Sequence, residues 1–174
     1  MLRLFEPSMV LTILLDFAAW FVFHMAAVIC TLNLPDRWFA SDHWLYRTRA
    51  WENQGQIWHQ VFRVRTWKER LPDGAQLVGR GYAKKRLQAT HTAELSRFVL
   101  ESRRAELTHY LAMLPAPLFF LWNPAWVGWF MIGYALMANA PCIIAQRYNR
   151  PRIIHLIEKR TSGSKTRPAT IDRQ

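Results

Sequence analysis

The chain has 174 residues, enough for one domain, and its 51% hydrophobic and 14% aromatic content excludes a disordered polycation. Lys and Arg number 23 against 12 Asp and Glu, a formal charge of +11 that calls for an anionic partner or surface. Two cysteines, Cys30 and Cys142, both in apolar runs, exclude a disulfide-framed secreted scaffold.

Residues 9–32 (MVLTILLDFAAWFVFHMAAVICTL) hold one charge, Asp16, and one histidine, His24. At about 1.5 Å per residue this run reaches roughly 36 Å, which predicts a retained transmembrane helix through a hydrocarbon core of about 30 Å. It is too long for a cleaved signal peptide, only Arg3 precedes it, and no small-x-small cleavage site is clear.

The basic residues other than Arg3 fall in 33–109 and 146–174. Within 33–109, Trp44, Trp51 and Trp58 recur every seven residues and Phe62 follows, which predicts an amphipathic helix with an aromatic stripe at a membrane interface or in a subdomain core. Leu71-Pro72-Asp73-Gly74 reads as a turn, and Gly79-Arg80-Gly81 is too short for a phosphate loop. A second helix is predicted from about Thr92, with Leu95, Phe98, Val99, Ser102, Glu106 and His109 on one face. Glu106 stands three residues before His109, so its carboxylate can bond one imidazole nitrogen and leave the other as a base. Glu101 and Arg104 are three apart on a neighbouring face. A helix-end network with no catalytic role has the same spacing.

Residues 110–145 carry no charge and are broken at Asn123-Pro124. Residues 124–145 can span; residues 110–122 reach only about 20 Å, so they re-enter or draw the preceding helix to the membrane edge. The expected fold is an all-α integral membrane protein. It has an N-terminal transmembrane helix, interfacial cytoplasmic helices over 33–109 and a C-terminal helical hairpin, about three membrane segments in a single domain, 1–160. Residues 161–174 read as a disordered basic tail. Positive loops stay cytoplasmic, which places 33–109 and the C-terminus inside and Asn123 outside.

At the end of the last apolar run come Asn139 and Pro141, and beyond it Gln146, Arg147, Tyr148, Asn149, Arg150 and Arg152. A membrane anchor needs charge alone, whereas Gln, Tyr and Asn interleaved with Arg suit directional bonds to a phosphate or sugar.

These motifs resemble the glycosyl-diaponeurosporenoate acyltransferases, small membrane enzymes that finish staphyloxanthin-type carotenoids. The resemblance runs from about Pro35 to Arg152. It rests on Val64-Arg65-x-Trp67-Lys68, on Glu101-x-x-Arg104-Ala105-Glu106-Leu107-x-His109, and on Asn139-x-Pro141 with the run Gln146 to Arg152. Pro35-Asp36, Phe39, His43, Glu52, Gly55 and Trp58 are weaker echoes. Tyr110 stands where the family has Trp, Arg103 where it has Lys, and the tail differs. The resemblance implies a bacterial cytoplasmic-membrane enzyme that moves a fatty acyl group, with acyl-CoA as the implied donor and no bound cofactor, to a hydroxyl of a lipid-linked glycoside. It makes His109, Glu106 and Glu101 the catalytic candidates. Arg104, Asn139, Gln146, Arg147, Tyr148, Asn149, Arg150, Trp67 and Lys68 are the substrate-binding ones, with membrane lipids as partners.

Rival readings remain. His91, Glu94, Glu101, Glu106 and His109 have the residue types of a di-iron oxidase, but they crowd one segment where such sites draw on facing helices, so no metal is expected. A lipid-binding scaffold subunit would need only charge. Nucleic-acid binding is not expected, because the basic residues flank apolar spans. Cys142, between Pro141 and Ile143, has no evident base to make it a nucleophile.

Overall fold

The computed structural model describes residues 4–5, 7–71 and 92–165, and all the regular elements among them are helical. The expected turn at 72–74, the glycines at 79 and 81, His91 and the tail beyond 165 lie outside the described residues.

Helix α1 (Met9–Asn33) is opened by Ser8, whose hydroxyl accepts from the Leu11 N–H, and closed by an extended Leu34 that precedes Pro35. After the short α2 (Arg37–Ala40), α3 (Gln56–Phe62) and α4 (Val64–Trp67) come two long helices, α5 (Thr92–Met113) and α6 (Ala125–Lys165). α1 and the stretch Ala125–Ser162 are long and apolar enough to cross a membrane. Only 11% of the most apolar window of α1 and 17% of that in α6 is buried, and Phe17, Phe21, Trp126, Trp129 and Met137 are exposed. The core helix of a soluble protein hides such side chains; here they face outward, which suggests membrane association.

Two expectations need correction and one is narrowed. Residues 110–122, expected to re-enter or to draw the preceding helix to the membrane edge, are divided: α5 takes the first four, and Ala116–Leu121 coil into a 3₁₀ helix behind Pro115. Pro115 and Pro117 lack the N–H groups that a continuing α-helix needs, so among the described residues two helices are long and apolar enough to span, where about three membrane segments were expected. The tryptophan stripe is not one helix either. Trp44 lies in a turn, Trp51 in the 3₁₀ helix Ala50–Glu52 and Trp58 in α3, because Asn53, Gln54 and Gly55 all have positive φ and end any helix there. Trp51 and Trp58 still meet edge to face at 5.4 Å, and Trp58 stacks on Phe62 at 6.1 Å. Finally, α6 runs as one helix through Pro141 and Pro151, so residues 161–165 are helical rather than part of a disordered tail.

The chain divides into two compact units, where the sequence suggested one domain. The first comprises Met1–Arg47 and Arg103–Gln146. In it α1 passes Trp122 and Asn123 near its start, through Asp16, and Thr108 near its end, through a 2.7 Å hydroxyl bond from Thr31. The end of α5 therefore runs antiparallel to α1 and the beginning of α6 runs alongside it. Trp20 fills the centre, stacked on Phe119 at 4.7 Å, edge-on to Tyr134 and donating to the Met131 sulfur at 3.3 Å.

The second unit comprises Thr48–Ser102 and Arg147–Gln174. Leu95, Phe98, Val99 and Ser102, the face predicted for α5, are buried. Gly55 has φ +82°, and a Cβ there would lie 2.9 Å from the Arg147 carbonyl oxygen and 3.0 Å from that of Tyr148. Pro151 supplies no N–H to the Arg147 carbonyl four residues back, so the helix backbone is open where Gly55 approaches it.

Candidate active site

In the first unit, His109 and Asn139 are hydrogen-bonded partners: Nδ1 of the imidazole lies 2.9 Å from Oδ1 of the amide. The amide's direction is set by its other end, since Nδ2 donates to the Ala135 carbonyl one turn earlier on α6 at 2.9 Å. With Oδ1 as the acceptor, Nδ1 is the donor, an arrangement that in the neutral tautomer leaves the lone pair on Nε2. The sequence expected a carboxylate in this orienting role. Glu106, fully buried, accepts from the Tyr110 hydroxyl at 3.0 Å. Asn139, named among the substrate-binding candidates, is 2% exposed and bonded to the His109 ring.

Arg104 donates to Asp36 and lies over the Phe39 ring, its guanidinium carbon 4.9 Å from the centroid. Arg103 donates to the carbonyls of Phe39 and Ala40 and to Asp42 at 3.1 Å. The two arginines thus clasp the α2 segment from α5. Gln146, the last residue of this unit, buries its side-chain oxygen with no hydrogen-bond partner among the described residues, a cost a native fold rarely carries without a ligand or water to meet it.

In the second unit Glu101 pairs with Arg97 at 3.3 Å, one turn away on α5. Arg147 donates to Glu52 at 2.6 Å, and Glu52 is 1% exposed. Glu52 also accepts from the Arg49 backbone N–H and the Trp58 indole, both at 2.8 Å, so its carboxylate fastens three segments. Arg150 is enclosed at 1% exposure. The Trp67 indole donates to the Phe62 carbonyl at 2.7 Å, which commits its one polar atom to the backbone. Lys68 donates to Asn149 at 3.0 Å, and Tyr148 receives a hydrogen bond from Arg65 at 2.7 Å.

Sequence reasoning did not assign the anchoring contacts: Asp36 and Asp42 for the arginines of α5, Glu52 for Arg147, and Arg65 on Tyr148. Asp36, Glu52 and Arg65 stood only within the resemblance, with no partner attached, and Asp42 carried no signal beyond acidic character in a basic stretch. Among the described residues no three His, Cys, Asp or Glu side chains gather as a metal site.

Fold and site define a small all-helical protein with two outward-facing apolar helices and an imidazole set in a buried polar network beside them. Residues 42–159 match the family described as glycosyl-4,4'-diaponeurosporenoate acyltransferase. Proteins of that name from Staphylococcus aureus, strains bovine RF122 / ET3-1 and Newman, are each 34% identical over 138 residues, covering 79% of this chain and 83% of theirs. This chain belongs to that family of acyltransferases. No solved structure matches it.

Proposed function

We propose that this protein esterifies a hydroxyl of a glycosylated carotenoid, or of another membrane glycolipid, with a fatty acyl group taken from a coenzyme A thioester. The observation that carries the reading is the His109–Asn139 bond, which fixes a tautomer able to accept a proton at Nε2. A sugar hydroxyl is a poor nucleophile at neutral pH, and a positioned general base contributes typically about 10²–10⁴-fold. As Nε2 takes the hydroxyl proton, the oxygen attacks the thioester carbonyl; the C–O bond forms, the C–S bond breaks, and the imidazolium returns its proton to the departing thiolate. Glu106, acting with Tyr110, supports the helix turn that presents the ring. Gln146 offers its unmet carbonyl to a sugar hydroxyl.

The apolar helices α1 and α6 cross the bacterial cytoplasmic membrane, and the basic segments place the His109 end on the cytoplasmic side, where acyl thioesters are found. The acceptor class follows from the names of the relatives and from the apolar surroundings, which suit an isoprenoid chain. Lipid mass spectrometry of a host lacking this gene, complemented with wild type or His109→Ala, tests the reading. The expected result is a lipid lighter by one acyl chain that only the wild type converts. Conversion by His109→Ala at the wild-type rate removes His109 from the mechanism, and an unchanged lipid profile in the deletion removes the acyl transfer.

A further inference from the structure

Three cations of the second unit converge on one neutral side chain. Tyr148, 2% exposed, takes a hydrogen bond on its hydroxyl from Nε of Arg65 at 2.7 Å. The guanidinium carbon of Arg152 lies 3.6 Å from its ring centroid, and Nζ of Lys68 lies 5.3 Å from it. The His59 ring packs on the same tyrosine at 5.9 Å with a buried Nδ1 that has no hydrogen-bond partner among the described residues.

The remaining contacts of these cations are also with neutral groups: Lys68 with the Asn149 amide, Arg152 with the Tyr148 carbonyl at 3.3 Å. Among the described residues no carboxylate pairs with Arg65, Lys68 or Arg152. Glu52 is committed to Arg147 and Glu101 to Arg97. A phenol, an amide and an aromatic face orient cations without neutralising them, so the cluster keeps three positive charges around a buried ring. Arg65 is exposed and Lys68 and Arg152 are half-buried, which leaves their outer donors facing solvent. Two planar forks and an ammonium around one point have the donor geometry for tetrahedral phosphate oxygens.

We infer that Arg65, Lys68 and Arg152, held on Tyr148 and Asn149, form a binding site for a phosphate ester, with His59 as a further donor. Two sources carry that chemistry to such a protein: the nucleotide end of an acyl-coenzyme A donor, and the headgroup of an anionic phospholipid. Only the first depends on the function proposed above; the site itself rests on the cations. Arg104 and Arg147, each already met by a carboxylate, are not part of it.

The test uses the full chain purified in detergent or reconstituted in nanodiscs. Desulfo-coenzyme A and inorganic pyrophosphate are titrated against wild type, Arg65→Gln, Lys68→Gln and Arg152→Gln, with thermal melts to confirm folding. Retention of phosphatidylglycerol over phosphatidylcholine is measured on the same set. Each substitution is expected to weaken binding of at least one phosphate probe about tenfold, the loss of one charge-assisted contact. Loss confined to desulfo-coenzyme A and pyrophosphate identifies the donor nucleotide; loss confined to phosphatidylglycerol identifies a headgroup; both support the site. Wild type that binds none of these probes, or folded variants that bind all of them like wild type, overturn it. His109→Ala separates the two ideas: normal turnover in that variant, with probe binding still lost in Arg65→Gln, ends the general-base mechanism and leaves the phosphate site standing.

Discussion

Asn139 Oδ1 stands 2.9 Å from Nδ1 of His109, the position a carboxylate takes beside the imidazole in many acyl-transfer sites. An amide orients without adding charge, so it holds the tautomer yet gives the imidazolium less stabilisation than an ionised acid. Asn139→Leu removes the acceptor and is expected to lower kcat about tenfold to a hundredfold with little change in KM. His109→Ala is expected to cost about 10²–10⁴-fold in turnover. Steady-state kinetics on both variants and on the double variant check this. If Asn139 acts only through the ring, the double variant is no slower than His109→Ala alone.

Glu52 and Arg147 form a buried ion pair, 1% and 10% exposed at their side chains. Removing one member of such a pair typically costs about 3–5 kcal/mol, because the other charge stays buried without a partner. Glu52→Gln is therefore expected to destabilise strongly in a thermal or denaturant melt. Glu52→Gln combined with Arg147→Met should recover part of the loss, since the orphaned cation is then gone. A double variant less stable than Glu52→Gln alone contradicts this account.

Gly55 meets two demands at once, a left-handed backbone at φ +82° and a carbonyl where a Cβ would stand. Gly55→Ala is expected to lose more than the roughly 1 kcal/mol typical of a strained left-handed residue, since the Arg147 backbone belongs to a helix and cannot yield. Gly133, with nothing within 4 Å of its would-be Cβ and no positive φ, is the control: Gly133→Ala should melt no lower than wild type.

What the sequence made legible divides along physical lines. α1, the buried face of α5 and the apolar start of α6 could be read because hydrophobic periodicity and run length are local properties. The tryptophan repeat misled because a spacing of seven fits a helix only where every intervening residue accepts helical angles, and Asn53-Gln54-Gly55 do not. α6 runs on past Pro141 and Pro151 as one 41-residue helix, farther than the apolar run that marked its start. At the site, His109, Asn139 and Arg147 could be nominated from residue type. Their pairings could not, because Asn139 lies 30 positions from His109 and Glu52 lies 95 from Arg147.

Asp16 lies within the apolar α1 and is 9% exposed, with Oδ1 accepting from the Trp122 indole at 2.7 Å and the Asn123 amide at 2.8 Å. Asp16→Asn keeps an acceptor and is expected to leave stability nearly unchanged. Asp16→Leu strands two buried donors, each costing about 1–3 kcal/mol, and should lower the melting temperature in detergent clearly.

The same carboxylate gives biogenesis an order. When α1 first leaves the ribosome its one acid has no companion, and an unsatisfied carboxylate is costly in a hydrocarbon medium. The donors that quiet it are made 106 and 107 positions later. With α1 in the membrane, as proposed, that helix carries an unmet carboxylate until Trp122 and Asn123 follow it. Chains ending before Trp122 are expected to be held less firmly than the full chain, which carbonate extraction of the two would show.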